Sequence, residues 1–284
     1  SWEMRYLAGA FERDKRLEFK IFLADADKRI FRNKKDDGST GHFIEKLPEN
    51  ENELNGKYDI VCISRINISL LPKKIPEILK LFVEEKGGAL VVISDPAFIP
   101  YSFKNTCLEE LLPVQMSDKI PRTYGEELFG GNKDEYVFIL NEDGRNHQLV
   151  AFSGNYEENK KNWSELPPIY HFYQPKKLKP SAVNLVSIVK KGIENKIPAI
   201  VYHSYGKGTV LYMGFDSTWR WRKEFGDRYF RDFWAKAVQF IGLPHLLNES
   251  ARSVILSGSE SCYEGEKLSI RAKVSNVDFS PYLG

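Results

Sequence analysis

The fold is decided by residues 58–94, YDIVCISRINISLLPKKIPEILKLFVEEKGGALVVIS. Short apolar runs at 58–64 and 89–93 flank a segment at 75–85 whose apolar residues recur with helical spacing. This pattern predicts strand, helix and strand, and the glycine pair that follows the helix ends it because glycine tolerates the left-handed conformation. Strands joined in this way are parallel and covered on both faces, which explains their continuous hydrophobicity. The stretch therefore predicts an α/β fold.

The same rules predict the other elements of the first 247 residues. Helices are expected at 2–14, 108–112 and 227–241, and the Gly-Leu-Pro sequence at 242–244 is expected to end the last one. Strands are expected at 17–24, 136–140, 185–190, 197–203 and 209–213, with a hairpin turn at 205–208. Residues 25–56, with a turn at 36–39, and most of 100–166 are expected to be irregular. Cys62, inside an apolar run, is expected to be buried.

The chain changes character after Asn248. Apolar and polar residues alternate at 253–256 and 268–274, as they do in half-buried antiparallel strands. We therefore divide the chain into an α/β domain, 1–247, and a short C-terminal β segment, 248–284. This segment is too short for a complete β-sandwich. It is either the truncated start of an Ig-like β-sandwich domain or a β appendage packed on the main body.

Composition excludes several classes of function. The chain has 284 residues, 42% of them hydrophobic, and a formal net charge of +2, which predicts a globular protein that does not bind nucleic acid through its overall charge. No run approaches the roughly 18–20 apolar residues that span a bilayer, so no direct membrane insertion by this fragment is predicted. The three cysteines are scattered without metal-ligand spacing, and the glycine motifs match no nucleotide loop. No metal and no cofactor are predicted.

Four segments carry a resemblance to a known family. They are WEMRYLAGAFERD (2–14), YDIVCIS with FVEEKGGALVVIS (58–64 and 82–94), LEELLPV (108–114), and GKGTVLYMGFDSTWRWR with GDRYFRDFWAKAVQFI (206–222 and 226–241). Together they resemble the class I glutamine amidotransferase-like domain of large bacterial membrane-associated proteins, often found beside a von Willebrand factor type A domain. The resemblance implies a flavodoxin-like parallel sheet flanked by helices. It also implies a membrane-anchored parent in a bacterial envelope, with other domains of that parent or an envelope protein as partners.

The resemblance does not imply glutaminase activity. An active enzyme of this kind needs a cysteine on a strand-to-helix elbow and a histidine followed closely by an acid. Here the strand 89–93 runs into Ser94 and Asp95, and the late strand that would deliver the histidine ends at Phe215 and Asp216. No catalytic residue of the family is found, so the chain is predicted to be a pseudoenzyme, although enzymatic activity of another kind stays open.

Polar side chains follow the predicted parallel strands at the edge where α/β sheets place ligands. The candidate ligand-binding residues are Ser94, Asp95, Asp216, Arg220 and Arg222. Two carboxylates there could hold a divalent cation, but acids in such positions also cap following turns, and capping is the favoured interpretation. A serine hydrolase that pairs Ser94 with His171 or His203 is disfavoured because neither histidine lies in a recognisable motif.

The DSTWRWR segment, 216–222, has two interpretations. In an extended conformation its tryptophans would share one face, whereas in a helical turn they would fan out. The favoured interpretation is structural: Trp219 and Trp221 wedge between the sheet and the helix that contains Trp234, and the arginines bind nearby acids such as Asp227. The alternative is an anion or peptide site.

Three functional hypotheses follow. The first is a non-catalytic amidotransferase-like scaffold or ligand-recognition module of a larger envelope-associated protein. The second is a hydrolase that acts on an amide or a carbohydrate through a non-standard site at Asp95 and Asp216. The third is an adhesive surface built from tyrosines and a tryptophan: Tyr101, Tyr124, Trp163 and Tyr170.

Overall fold

The computed structural model describes residues 2–24, 41–118, 135–190, 192–193, 195–246, 253–257 and 270–274. Its α-helices are α1 (Trp2–Phe11), α2 (Glu51–Asn55), α3 (Ile75–Glu84), α4 (Leu108–Leu111), α5 (Tyr156–Glu165), α6 (Arg222–Phe225) and α7 (Arg228–Leu246). Its strands are β1 (Ile21–Phe22), β2 (Phe43–Ile44), β3 (Ile60–Ser64), β4 (Ala89–Ile93), β5 (Val114–Gln115), β6 (Tyr136–Leu140), β7 (Lys177–Leu178), β8 (Val183–Lys190), β9 (Ile197–Tyr205), β10 (Gly208–Met213), β11 (Ser253–Ser257) and β12 (Ile270–Val274).

A six-stranded mixed sheet, in the order β3-β4-β10-β9-β8-β6, forms the centre of the molecule. The strands β3, β4 and β10 are parallel, whereas the pairs β10–β9, β9–β8 and β8–β6 are antiparallel. The predicted α/β fold is confirmed, but a sheet that is parallel throughout is not found. The physical reason is the tight turn between β9 and β10, which forces those two strands to run in opposite directions.

Both faces of the sheet are covered, as the continuous hydrophobicity of β4 requires. All five residues of β4 are buried, and alternate ones point to opposite faces. Val91 belongs to an apolar cluster with residues of α1 and α7, and Leu90 to a second cluster with residues of α3 and α4. The helices α1 and α7 therefore lie on one side of the sheet, and α3 and α4 on the other.

The turn between β9 and β10 packs directly on the end of α3. Gly206 has a φ of 58°, and a Cβ built on it would lie 2.3 Å from the backbone oxygen of Glu84. The neighbouring Lys207 donates its backbone N–H to the same oxygen at 2.8 Å. Glycine is therefore required at 206 both by its φ and by the close approach of another backbone.

We expect Gly206→Ala to lower the free energy of unfolding by more than Gly226→Ala does. Gly226 has nearly the same φ, 59°, with a ψ of −149° that alanine also avoids, but nothing lies within 4 Å of a Cβ built there, so it isolates the conformational cost of about 1–3 kcal/mol. Urea denaturation of the two variants measures the difference. Equal losses would show that the contact with Glu84 relaxes without cost.

Several sequence-based boundaries need correction. The strand expected at 17–24 is reduced to β1, which pairs in parallel with β2 outside the main sheet. The last helix does not end at Gly242 but continues through Pro244 to Leu246. A proline near the end of a helix removes one backbone bond, and His245 anchors this final turn: its Nδ1 lies 2.8 Å from Asp59 and its Nε2 lies 2.9 Å from Asn55.

Helix α5 lies in a region expected to be irregular. Its residues are mostly polar, and few apolar positions mark a buried face. The helix is set by its N-cap, where Asn155 accepts the backbone N–H of Glu158 at 3.1 Å, and by the complete burial of Trp163. The turn predicted at 36–39 lies outside the described residues.

Cys62 is exposed, and the expectation that it is buried is wrong. The apolar run that contains it forms β3, which is one of the two edge strands of the six-stranded sheet, so one side of this strand has no neighbour in that sheet. The side chain lines a cleft of about 540 Å³ at this edge. Sequence hydrophobicity alone does not distinguish an edge strand from a central one.

The alternating segments after residue 248 form the antiparallel pair β11–β12, in which Ile255 lies opposite Ala272. This confirms the two predicted strands. The boundary between 247 and 248, and the choice between an Ig-like domain and an appendage, stay predictions. Among the described residues, no helix is long and apolar enough to cross a membrane.

Candidate functional site

The carboxyl ends of β3, β4 and β10 lie at one edge of the sheet. A 3₁₀ helix, Thr218–Trp221, follows β10 there, so the DSTWRWR segment is helical rather than extended. Its side chains consequently fan out. Thr218 and Trp221 are buried, whereas Trp219 and Arg220 are half-exposed.

Trp221 fills the space between the sheet and α7. It is 1% exposed. Its ring makes edge-to-face contacts with Phe138 of β6, Trp163 of α5 and Phe233 of α7, at centroid distances of 5.7, 5.6 and 5.4 Å. Such contacts add to the burial energy of large rings, so this tryptophan joins three elements of the core.

Glu3 places a carboxyl group beneath the 3₁₀ helix. It is 1% exposed and lies in the first turn of α1. The Thr218 hydroxyl donates a hydrogen bond to its Oε1, the backbone N–H of Trp219 lies 3.4 Å from its Oε2, and Trp234 Nε1 donates to Thr218 Oγ1 at 3.0 Å. A chain of polar contacts therefore ties α1 and α7 to the 3₁₀ helix.

Burial raises the pKa of Glu3 from 4.5 to about 8. The hydrogen bond from Thr218 opposes the shift, and the nearby carboxylate of Asp216 adds to it. At neutral pH the side chain is therefore mostly protonated and adds little negative charge to this edge of the sheet. The carboxyl is enclosed by protein, so it acts on the structure rather than on a ligand in solution.

Above this buried carboxyl lies a surface that we call the aromatic–arginine surface: Trp2, Arg5, Tyr6, Trp219, Arg220 and Arg222. Tyr6 and Trp219 stack at 5.9 Å with an angle of 6°, and Trp2, which is 57% exposed, lies 6.1 Å from Trp219. Each arginine lies over a ring. The surface combines aromatic and cationic groups at the carboxyl edge of the sheet, where α/β proteins bind ligands.

The arginines of this surface differ in their partners. Arg222 lies 4.5 Å from the ring centre of Tyr6 and donates its Nε–H to Asp227, which also binds Arg13 at 3.2 Å. Arg5 lies 5.1 Å over Trp2, and Arg220 lies 5.0 Å over Trp219 and 5.6 Å over Tyr170. Among the described side chains, no carboxylate lies within ion-pair distance of Arg5 or Arg220.

Ser94 and Asp95 have structural surroundings. Ser94 is 1% exposed, and its hydroxyl lies against that of Tyr212, whose pKa is raised by burial. Asp95 accepts the backbone N–H groups of Ala97, Phe98 and Ile99 at 2.8, 2.8 and 2.9 Å. Burial raises the pKa of Asp95, and these three bonds oppose the shift. The carboxylate is thus engaged in shaping the turn that follows β4.

His203 is out of reach of Ser94. His203 lies opposite Val210, which pairs with Leu90, so it is two strands away from Ser94 and four residues back along the sheet. At about 3.3 Å per residue and 4.8 Å per strand, this separation exceeds ten ångströms. The ring nitrogens of His203 lie instead 2.7 Å from the Leu111 carbonyl oxygen and 3.2 Å from the Ser181 hydroxyl.

Neither of the two thiols among the described residues, Cys62 and Cys107, is activated. Desolvation by the surrounding protein raises the pKa of Cys62 to about 12, and Glu3, when ionised, adds to the shift. Burial also raises the pKa of Cys107. A nucleophilic cysteine needs the opposite shift. Within the described ranges, no group of three or more histidine, cysteine, aspartate or glutamate side chains is placed to hold a metal ion.

The predicted site residues are only partly brought together. Arg220 and Arg222 lie on the aromatic–arginine surface, and Asp216 lies close enough to Glu3 to affect its pKa. Ser94 and Asp95 are buried. The adhesive hypothesis fails in part because Trp163 is fully buried. Tyr101 packs edge-on against Tyr173, with the ring centroids 5.2 Å apart. Tyr124 lies outside the described residues.

The N-terminal helix contributes residues that the sequence did not single out. Trp2, Glu3, Arg5 and Tyr6 meet the DSTWRWR segment across more than 200 positions of sequence. Helical spacing predicts α1 but not which element it contacts. The one usable signal is the pair of tryptophan- and arginine-rich segments at the two ends of the domain.

The sequence matches no family profile and no curated protein. Solved structures are similar in fold. Cytoplasmic protein STM3548 from Salmonella typhimurium aligns with a TM-score of 0.52 and 23% identity over 69% of this chain and 76% of its own. Cytoplasmic protein STM1381 from Salmonella typhimurium LT2 aligns with a TM-score of 0.52 and 20% identity over 69% of this chain and 77% of its own. A β-galactosidase from Rahnella sp. R3 aligns with a TM-score of 0.33 and 15% identity over 76% of this chain and 27% of its own. At this identity the first two similarities show the fold alone.

Proposed function

We propose that this protein is a non-catalytic recognition module with a flavodoxin-like, class I glutamine amidotransferase-like domain, and that it binds its ligand at the aromatic–arginine surface. One observation carries the proposal. The residues at the elbow after β4, where such an enzyme holds its nucleophile, do not face a ligand: Ser94 is buried, and Asp95 accepts three backbone N–H groups.

The exposed chemistry lies elsewhere at the same edge. Trp2 and Arg5 are exposed, and Trp219 and Arg220 are half-exposed. Trp, Tyr and Arg are the residue types that dominate binding energy at protein interfaces. This composition supports recognition, and the resemblance stated above supports a bacterial envelope-associated parent whose other domains are candidate partners.

An ammonia-release assay tests the absence of catalysis. We expect the purified protein, incubated with glutamine, asparagine and simple amides, to release no more ammonia than a heat-denatured sample. The matched variants are Ser94→Ala and Asp216→Asn. Turnover that disappears in either variant would overturn the proposal and favour a hydrolase with a non-standard site.

A further inference from the structure

Arg222 shows how this surface binds a carboxylate. Its guanidinium lies over the Tyr6 ring and holds the Asp227 carboxylate through Nε. The ring supports one face of the planar group and leaves its N–H edge free to bind oxygen. Tyr6 therefore holds the guanidinium of Arg222 in an orientation that suits a carboxylate.

Arg5 and Arg220 have the same ring support. Arg5 lies over Trp2, and Arg220 lies over both Trp219 and Tyr170. The rings of Trp2 and Trp219 are neighbours, 6.1 Å apart, so the two guanidinium groups flank one continuous aromatic patch. Neither has a carboxylate partner among the residues described.

The charge beneath the patch favours an anionic partner. Glu3 is enclosed under the 3₁₀ helix and hydrogen-bonded to Thr218, so its carboxyl does not reach the guanidinium groups above it. Asp227 is occupied by Arg13 and Arg222. Asp216, half-exposed and close to Glu3, places one negative charge beside the patch. The outward-facing groups of the patch itself are cationic and aromatic, with a guanidinium group on each of Arg5, Arg220 and Arg222.

The ring geometry distinguishes between acidic partners. A sugar ring stacks on the free face of an aromatic side chain, but Tyr6 and Trp219 stack on each other, Arg5 lies over the face of Trp2, and Arg220 lies over that of Trp219. The exposed groups are guanidinium edges and the indole of Trp2. A peptide that alternates carboxylates with aromatic side chains satisfies both kinds of group, because each guanidinium binds a carboxylate bidentately and rings pack edge-on against the exposed rim of the indole.

We infer that the aromatic–arginine surface is a docking site for an acidic, aromatic-containing segment of a partner protein, held by Arg5 and Arg220. The inference rests on the proposed recognition function and names its ligand class. It does not depend on the ammonia assay. Ammonia release would overturn the absence of catalysis, whereas peptide binding measured by calorimetry tests this surface alone.

The test is calorimetric titration of the whole protein with a synthetic octapeptide of six glutamates and two tyrosines, at low salt. We expect the affinity to fall by about tenfold or more in the double variant Arg5→Gln/Arg220→Gln, because two charge-assisted contacts are lost. Arg145→Gln is the matched control, since Arg145 also lies over a ring, that of Tyr156, far along the chain from this surface. This control should bind within about twofold of the unsubstituted protein.

Two further measurements vary the arginine side chains and the charge of the peptide. The double variant Arg5→Lys/Arg220→Lys keeps the charge but loses the planar fork, and we expect it to bind more weakly than the unsubstituted protein. A peptide with glutamine in place of glutamate should also bind weakly. The inference is overturned if the acidic peptide does not bind, if the arginine variants bind it as tightly, or if an oligogalacturonate with as many carboxylates binds better.

Discussion

Trp221→Ala is expected to lower the free energy of unfolding by about 3–5 kcal/mol, the range typical of large-to-small changes at a buried aromatic residue. The indole is 1% exposed and joins rings from β6, α5 and α7. Truncation leaves a cavity among rigid rings, which cannot collapse to fill it. Urea denaturation followed by far-ultraviolet circular dichroism measures the loss.

Trp219→Ala provides the matched control, because it removes the same side chain two residues away. Trp219 is half-exposed and stacks on Tyr6 at the surface. Its truncation should cost about 1 kcal/mol, the scale of one aromatic pair beyond burial. Comparable losses for the two variants would contradict the division between a buried and a surface tryptophan. Trp221→Phe should lie between the two, since it retains an aromatic ring.

The two tryptophans also show what the sequence could predict. Alternation of tryptophan and arginine in DSTWRWR indicated stacking and ion pairs, and Arg222 does bind Asp227. Which tryptophan is buried depends on whether the segment is extended or helical, and the sequence permitted both. The 3₁₀ helix decides it, because successive side chains then point in different directions.

The fold was predictable where its signals are local. The βαβ unit at 58–94 and the hairpin at 205–208 depend on periodicity and turn residues within a few positions of one another. The mixed sheet follows from that hairpin, yet the resemblance favoured a parallel one. Strand order was not predictable from the sequence. The exposure of Cys62 was therefore not predictable either, because it depends on the position of β3 at an edge of the sheet.

The site was less predictable because it is built from distant segments. Glu3 looks like any acid in the first turn of a helix, where it complements the helix dipole. Nothing in its neighbourhood indicates that Thr218 and Trp219 enclose it. Asp95, in contrast, fulfils the capping role that sequence reasoning favoured for acids at this edge, through three backbone bonds.

Enclosure of Glu3 has a consequence for stability that depends on pH. The pKa of this carboxyl is about 8 in the folded protein and 4.5 in an exposed glutamate, so the folded state binds the proton more tightly. Its stabilising contribution is complete below pH 4.5 and is lost as the pH rises towards 8. Each pKa unit corresponds to about 1.4 kcal/mol, which gives a total of about 4–5 kcal/mol.

His147 limits the useful pH range on the acid side. It is buried, and burial lowers its pKa from 6.5 to about 4, so its contribution is present above pH 6.5 and is lost as the pH falls towards 4. On the basic side, the pKa of Cys62 is raised from 9.0, so the contribution of its protonated thiol to the free energy of unfolding is lost only above pH 9. Between pH 6.5 and 9 the change due to Glu3 can therefore be separated from both.

Glu3→Gln removes this titration while it keeps an oxygen that can accept the Thr218 hydrogen bond. We expect the unsubstituted protein to lose about 2 kcal/mol of unfolding free energy between pH 6.5 and 9, and the variant to lose none of that amount. Because the glutamine carries no charge to bury, the variant should be the more stable of the two at pH 9. Chemical denaturation of both proteins at half-unit pH steps gives the two curves. Parallel curves across this range would mean that water reaches the carboxylate of Glu3 and that α1 does not seal it against the 3₁₀ helix.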